Sequence, residues 1–208
     1  MKPINDSTID SAAAPAAEAE FAFVRFESPV GRLELTANAG GEIVAVTLES
    51  DGRLPHDGQP ERATTSLRAA ARQLQEYFAG TRTLFTVRLA TPDGTEFQRR
   101  VWQRIADIPF GEHATYGQIA LDVGKPGAGR AVGAAVAANT QPLLIGCHRV
   151  LGVSGHITGY SQGQGTVTKQ WLLNHEGTAH RPVSDSQYQP RLLATTSSTT
   201  SSSSPAAP

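Results

Sequence analysis

The chain has 208 residues, 39% of them hydrophobic and 18% charged, which is enough apolar side chain for one medium domain or two small ones. A single cysteine excludes an internal disulfide, a CxxC redox pair and any zinc site built on two thiolates. The net charge of −1 gives no global attraction to nucleic acid, and no apolar run is long enough for a membrane-spanning helix. Residues 1–20 are rich in Ala, Ser and acidic side chains, without a basic segment leading into an apolar one, and read as a disordered leader rather than a secretory signal. Three short, partly alternating segments follow at 21–26, 31–37 and 42–49. Pro-Val-Gly and Asn-Ala-Gly-Gly turn signals separate them, so they are expected to be strands, the first two forming a hairpin. Next, Leu67, Ala70, Ala71, Leu74, Tyr77 and Phe78 share one helical face, with Gly80 in the position that ends such a helix. Residues 84–90 read as a further strand and 91–94 as a linker. This gives an α/β domain over 21–90.

The character changes over 95–180. Residues 1–94 carry 9 Lys and Arg against 13 Asp and Glu, whereas 95–177 carry 7 against 5. Phe97, Val101, Trp102, Ile105 and Ile108 predict a helix with Thr95 as its N-cap. Thr115 precedes a helix of about two turns. A Gly-rich turn over 124–129 leads to a second helix over 130–139, a pairing that matches a helix-turn-helix. The second helix lacks the side chains that read base edges in a major groove. After Arg130 it offers Ala131, Gly133 and Ala134, which either let the backbone approach a narrow groove closely or pack into a core; the pattern leaves both open. Residues 183–208 end in a Ser/Thr-rich tract that buries too little surface to fold and read as a disordered tail.

The most informative stretch is Leu143 to Val150, an apolar run that delivers Cys147 and then His148 and Arg149. A lone cysteine is commonly a small buried hydrophobe, but cationic neighbours favour the nucleophilic thiolate. In extended backbone, adjacent side chains point to opposite faces. Cys147 and His148 are therefore expected to communicate through a water, with an acceptor orienting the imidazole. Glu176 is a candidate for that acceptor, although spacing alone does not separate it from a surface carboxylate. Between them, Gly152 to Gly165 reads as a mobile loop carrying Tyr160 and Ser161.

Cys147-His148-Arg149-Val150, together with Phe97, Trp102, Phe110-Gly-Glu, Tyr116, Arg130-Ala-Val-Gly, Ala138-Asn139, Pro142, Gly159-Tyr160-Ser161 and Lys169-x-Trp-Leu-Leu-x-His-Glu-Gly177, resembles the O6-alkylguanine-DNA alkyltransferases. The resemblance is close over 95–177 and compatible over 21–94. It implies an α/β plus α architecture: an RNase H-like N-terminal domain, then a helical domain with the helix-turn-helix. It implies that Cys147 irreversibly accepts an alkyl group from O6-alkylguanine, and also from O4-alkylthymine, once the base is flipped from the minor groove of duplex DNA. His148 would deprotonate the thiol through water, Glu176 would orient His148, and Asn139 would brace the turn behind them. Tyr116 would contact the base and its 3′ phosphate, and Arg130 would fill the space the base leaves. The Ser161 amide, the Cys147 and Val150 carbonyls and Tyr160 would complete the base pocket.

No metal and no cofactor is implied, nor a membrane partner. A monomer is implied, cytoplasmic and nucleoid-associated if bacterial. The chain departs from the family pattern at Gly146, where proline is usual, which loosens the placement of the cysteine. It departs also in a longer segment after Tyr160, which bears on alkyl-group size. The rivals are a non-catalytic binder of alkylated DNA, a methyl-responsive transcription regulator and a cysteine hydrolase.

Overall fold

Alternation in the first third of the sequence becomes a three-stranded antiparallel sheet in the order β1 (Ala22–Ser28), β2 (Gly31–Ala37), β3 (Ile43–Leu48). The computed structural model describes residues 21–182; the leader over 1–20 and the tail over 183–208 lie outside the described residues. β1 and β2 turn at Pro29-Val30, with Gly31 at φ +104°, a backbone conformation open to glycine. Helix α1 (Thr65–Phe78) covers one face of the sheet. Leu33, Leu35, Leu67, Leu74 and Tyr77 form the core between them, each almost fully buried. Thr64 caps α1, and Gly80 at φ +73° closes it: Gly80 N–H donates to Tyr77 O and Thr81 N–H to Glu76 O, satisfying carbonyls that a helix end leaves open. Glu34 points to the other face yet is buried, because the 50–61 segment folds over it. His56 Nδ1 lies 2.6 Å from Glu34 Oε1 and its ring stacks on Phe23.

One expected strand is absent. Residues 84–90 make only a parallel bridge, Leu89 to Ile43, through Ile43 N–H to Arg88 O and Ala90 N–H to Ile43 O. The Gln73 side chain explains this, since its Oε1 accepts the Thr86 amide at 2.8 Å and its Nε2 donates to Thr86 Oγ1. A side chain of α1 thus satisfies backbone that a ladder would have used.

The helical domain opens with α2 (Glu96–Ala106), where Thr95 and Gln98 cap each other reciprocally; Thr115 and Gln118 do the same for α3 (Tyr116–Asp122). A turn leads from α3 to α4 (Gly129–Ala137), and α5 (Thr166–His175) closes the domain, starting three residues before Lys169. A short parallel pair, β4 (Ala114–Thr115) with β5 (Val150–Leu151), ties the start of α3 to the cysteine segment. The core here is Val101, Trp102, Ile105, Ile119, Val132, Ala135 and Val150. In α4, Val132, Ala135 and Val136 face that core, while Arg130, Ala131, Ala134 and Ala137 are exposed. The core reading of this helix thus holds for one face, and the other face is open to solvent.

The domains meet along β3. Val46 N–H donates to Thr140 O, Thr140 Oγ1 to Val44 O, and Gln141 Nε2 to both Ile43 O (2.7 Å) and Ala90 O (2.9 Å). Leu143, at φ +71°, places its side chain in the N-terminal core. The segment leading to Cys147 is thus bonded to the neighbouring domain as well as its own.

Candidate active site

Cys147, His148 and Arg149 form one turn of 3₁₀ helix, not the extended segment expected from the apolar run. Cys147 N–H donates to Ile145 O and Arg149 N–H to Gly146 O, and this local bonding replaces a strand ladder. No hydrogen bond joins Cys147 to His148 among the described residues. Asn139 holds the approach: its Nδ2 donates to Ile145 O at 3.3 Å and its Oδ1 accepts Gln141 N–H at 3.0 Å.

Gly146 precedes the cysteine at φ −67°, so backbone strain does not require glycine there. Close approach does. A Cβ would lie 2.9 Å from Arg149 Cδ and 3.0 Å from its Cζ and Nε. Arg149 cannot withdraw easily, because it donates to both oxygens of Glu176 and to Ile108 O. Gly146→Ala is expected to destabilise the fold by about 1–3 kcal/mol through overpacking and to slow the chemistry at Cys147. Thermal denaturation beside a single-turnover assay checks both.

Glu176, at the end of α5, is buried and far from a surface carboxylate. Its Oε1 accepts from His148 Nε2 at 2.8 Å, Arg149 Nη2 at 3.0 Å and the Tyr77 hydroxyl at 2.8 Å; its Oε2 accepts from Arg149 Nε at 2.8 Å. Burial alone would raise its pKa, but the hydrogen bond from His148 and then the bonds and charge of Arg149 outweigh burial and hold the carboxyl well below the usual range. His148 is shifted down: burial disfavours the imidazolium more than Glu176 favours it. Its Nδ1 is buried with no hydrogen-bond partner in the protein. The neutral ring thus presents a donor to Glu176 and an acceptor on the opposite side.

Burial pushes the Cys147 thiol up, against the Asn139 and Tyr160 bonds and the charge of Lys169. The cationic neighbours read from the sequence do not act as expected, since His148 is held neutral and Arg149 is matched to Glu176. The cation that acts on the sulfur is Lys169, a fully buried residue of α5 that sequence reading did not select. Its Nζ donates to Val150 O at 2.5 Å and Gly159 O at 3.2 Å, and burial lowers its pKa to about 8. Tyr77 and Lys169 are site residues to which the sequence reading gave no role; Lys169 stood there only as the first residue of the Lys169-x-Trp-Leu-Leu motif.

Cys147 lines a pocket of about 300 Å³ with Tyr116, Gly133, Val136, Tyr160 and Ser161, near the lower end for small-molecule sites. The Cys147 thiol lies 3.9 Å from the Tyr160 hydroxyl, and burial with the nearby sulfur pushes that phenol well above its ordinary pKa. Tyr116 begins α3, its ring 5.9 Å from Lys169 Nζ. Val150 O already accepts from Lys169 and keeps one lone pair for an incoming donor. The pocket wall after Tyr160 is a folded loop: Gly165 N–H donates to Gln162 O and Gln164 N–H to Thr168 Oγ1. Outside the pocket, Tyr116, Arg130, Gly133, Val153 and Thr158 line a wide groove. Of the sequence-selected residues, Cys147, Tyr116, Gly133, Tyr160 and Ser161 thus line one pocket, and Arg130 lines the groove beside it; His148, Glu176, Asn139 and Val150 do not line the pocket and are held by the bonds around the cysteine turn, and Ala131 and Ala134 are exposed on the outer face of α4 and line neither the pocket nor the groove.

Among the described residues no helix is long and apolar enough to cross a membrane. Residues 96–178 match the family model for the 6-O-methylguanine DNA methyltransferase DNA binding domain, and 24–91 that for its ribonuclease-like domain. A methylated-DNA–protein-cysteine methyltransferase of Methanosarcina acetivorans is 40% identical over 153 residues, 74% of this chain and 96% of that one. One from Mycolicibacterium paratuberculosis is 43% identical over 163 residues, 76% of this chain and 93% of that one. The structure is similar to Mycobacterium tuberculosis O6-methylguanine methyltransferase, with a TM-score of 0.67 at 37% identity over 76% of this chain and 93% of that one. A structure from the same organism in complex with DNA gives 0.66 at 39%, over 74% and 92%.

Proposed function

The chain belongs to the 6-O-methylguanine DNA methyltransferase family, and on that premise we propose how its own residues carry out the repair. It repairs DNA by moving an alkyl group from a base to a cysteine, and Cys147 is the one cysteine in the sequence. The observation that carries the reading is the position of that sulfur at the pocket wall beside the His148–Glu176 pair.

Glu176 accepts the Nε2–H of His148, so Nδ1 is the acceptor. Through one water, Nδ1 takes the proton of Cys147. The thiolate attacks the alkyl carbon of an O6-alkylguanine, or of an O4-alkylthymine. A carbon–sulfur bond forms, the carbon–oxygen bond breaks with its electron pair going to the base, and the base takes up one proton. Charge from Lys169 favours the thiolate despite its burial. The product thioether is not a disulfide, and no thiol exchange can release it. Each molecule therefore acts once. A non-catalytic binder of alkylated DNA has no use for a thiol placed in this way.

The target oxygen is out of reach inside a duplex, and flipping a base costs roughly a few kcal/mol. We assign 95–180 as the DNA-binding and acceptor domain, with α3 and α4 as a helix-turn-helix whose exposed Ala131 and Ala134, with the half-buried Gly133, lie in the minor groove. The unit over 21–90 is read as the RNase H-like domain. Arg130, exposed on the groove, fills the space left by the base, and Tyr116 meets the base and its 3′ phosphate. Tyr160 packs on the base, the Ser161 amide meets the O6 region, and the Cys147 and Val150 carbonyls receive the exocyclic amine. Asn139 braces the turn. The protein acts as a monomer in the compartment that holds its DNA.

Titrating a duplex that carries O6-methylguanine with the protein tests this reading. Repair is expected to stop at one lesion per molecule; continued turnover would contradict it. Arg130→Ala is expected to slow repair in duplex DNA by about ten- to a hundredfold while leaving reaction with the free base nearly unchanged. Equal slowing of both would place Arg130 outside the flipping step.

A further inference from the structure

We propose that Tyr77, from the N-terminal domain, is a positioning residue for the transfer: its hydroxyl holds the Glu176 oxygen that faces His148. The proposal rests on the reading of Cys147 and His148 given above. Tyr77 lies at the end of α1, 1% exposed and 99 residues from Glu176, and donates to Oε1 at 2.8 Å. A buried phenol needs some partner, and this bond could be no more than that. The surroundings argue otherwise. The Tyr77 carbonyl accepts His175 Nε2 at 2.7 Å, and its ring meets the edges of His175 and Phe110. The same residue therefore grips both Glu176 and the residue before it, fixing the end of α5 against α1.

The chemical consequence follows from what surrounds Oε1. The groups facing the carboxylate are Tyr77 from α1, His148 and Arg149 from the cysteine turn and, more distantly, the Gly111 amide; Tyr160 and Lys169 act on the same cluster through space. An O–H donor on Oε1 draws charge from the oxygen that would otherwise pull a proton onto His148. It thereby favours the neutral imidazole whose Nδ1 is free. Without that donor the carboxylate stabilises imidazolium, which has no acceptor for the thiol proton. In this way the N-terminal domain takes part in the proton relay as well as in the scaffold.

The test is the pH profile of single-turnover transfer. Tyr77→Phe keeps the ring and loses the donor. It is expected to react about threefold more slowly on the acid limb, which moves up by about half a pH unit, and to approach the wild-type rate at higher pH. Fluorotyrosine at position 77 donates more strongly and is expected to move the limb down, in a protein whose packing is kept. Phe85→Leu disturbs the same aromatic cluster and is expected to leave the limb in place. A Tyr77→Phe profile that superimposes on wild type, or is lowered equally at every pH, overturns the proposal. Cys147→Ala and His148→Gln are run beside it. If Cys147→Ala still transfers, or His148→Gln keeps the wild-type acid limb, the underlying reading fails and Tyr77's role with it. If both behave as expected and only the Tyr77→Phe limb is unmoved, Tyr77 alone is at fault.

Discussion

Cys147→Ala is expected to bind lesion-bearing duplex with near wild-type affinity and to transfer nothing, a loss of at least about 10⁴-fold in rate. The size follows from chemistry. The sulfur is the only cysteine in the sequence, and no other side chain in the pocket is a comparable nucleophile toward an alkyl carbon. Retained binding follows from geometry. The groove is lined by Tyr116, Arg130, Gly133, Val153 and Thr158, none of which depends on the thiol. Alanine removes one small buried group, so the fold should persist. Gel-shift and single-turnover measurements on the same preparation separate the two effects, and residual transfer would place the acceptor elsewhere.

Glu176→Ala is expected to cost about 3–5 kcal/mol of stability. It leaves Arg149 buried without its counter-charge and strips partners from His148 and Tyr77 at once. Transfer should fall by about 10²- to 10⁴-fold, since the imidazole loses its orienting acceptor. Glu176→Gln keeps the shape and loses the charge, and should lie between. The pH dependence has a definite sign. The folded carboxyl is held below its unfolded value, so its contribution is present above the ordinary carboxylate range and is lost as pH falls through the folded value. Wild type should therefore lose stability on acidification more steeply than Glu176→Gln. Chemical denaturation at several pH values measures this difference.

What could be read from the sequence was mostly local. Thr95 and Thr115 mark the starts of α2 and α3, and the structure completes each cap with Gln98 and Gln118 three residues on. The alternation of 31–37 and the helical face from Leu67 to Phe78 depend on near neighbours too. The absent strand at 84–90 depended on Gln73, whose carboxamide reaches Thr86 from another element. Glu176 was one candidate among several carboxylates until folding brought it to His148. Tyr77 gave no signal, because nothing in Glu-Tyr-Phe distinguishes a core aromatic from one whose hydroxyl reaches a carboxylate 99 residues away. Lys169 was hidden for the same reason, its ammonium buried on carbonyls of the loop before α5. At Gly146 the requirement became visible only with Arg149 lying across it. Pairings close in sequence could be read, whereas pairings made by the domain junction could not.

The most direct measurement is peptide mass spectrometry after the protein has reacted with an oligonucleotide carrying O6-methylguanine. The account predicts that the peptide containing Cys147 gains the mass of one methylene per lesion repaired, and that the protein then repairs no more. Lesions that disappear while the Cys147 thiol stays unmodified would contradict it.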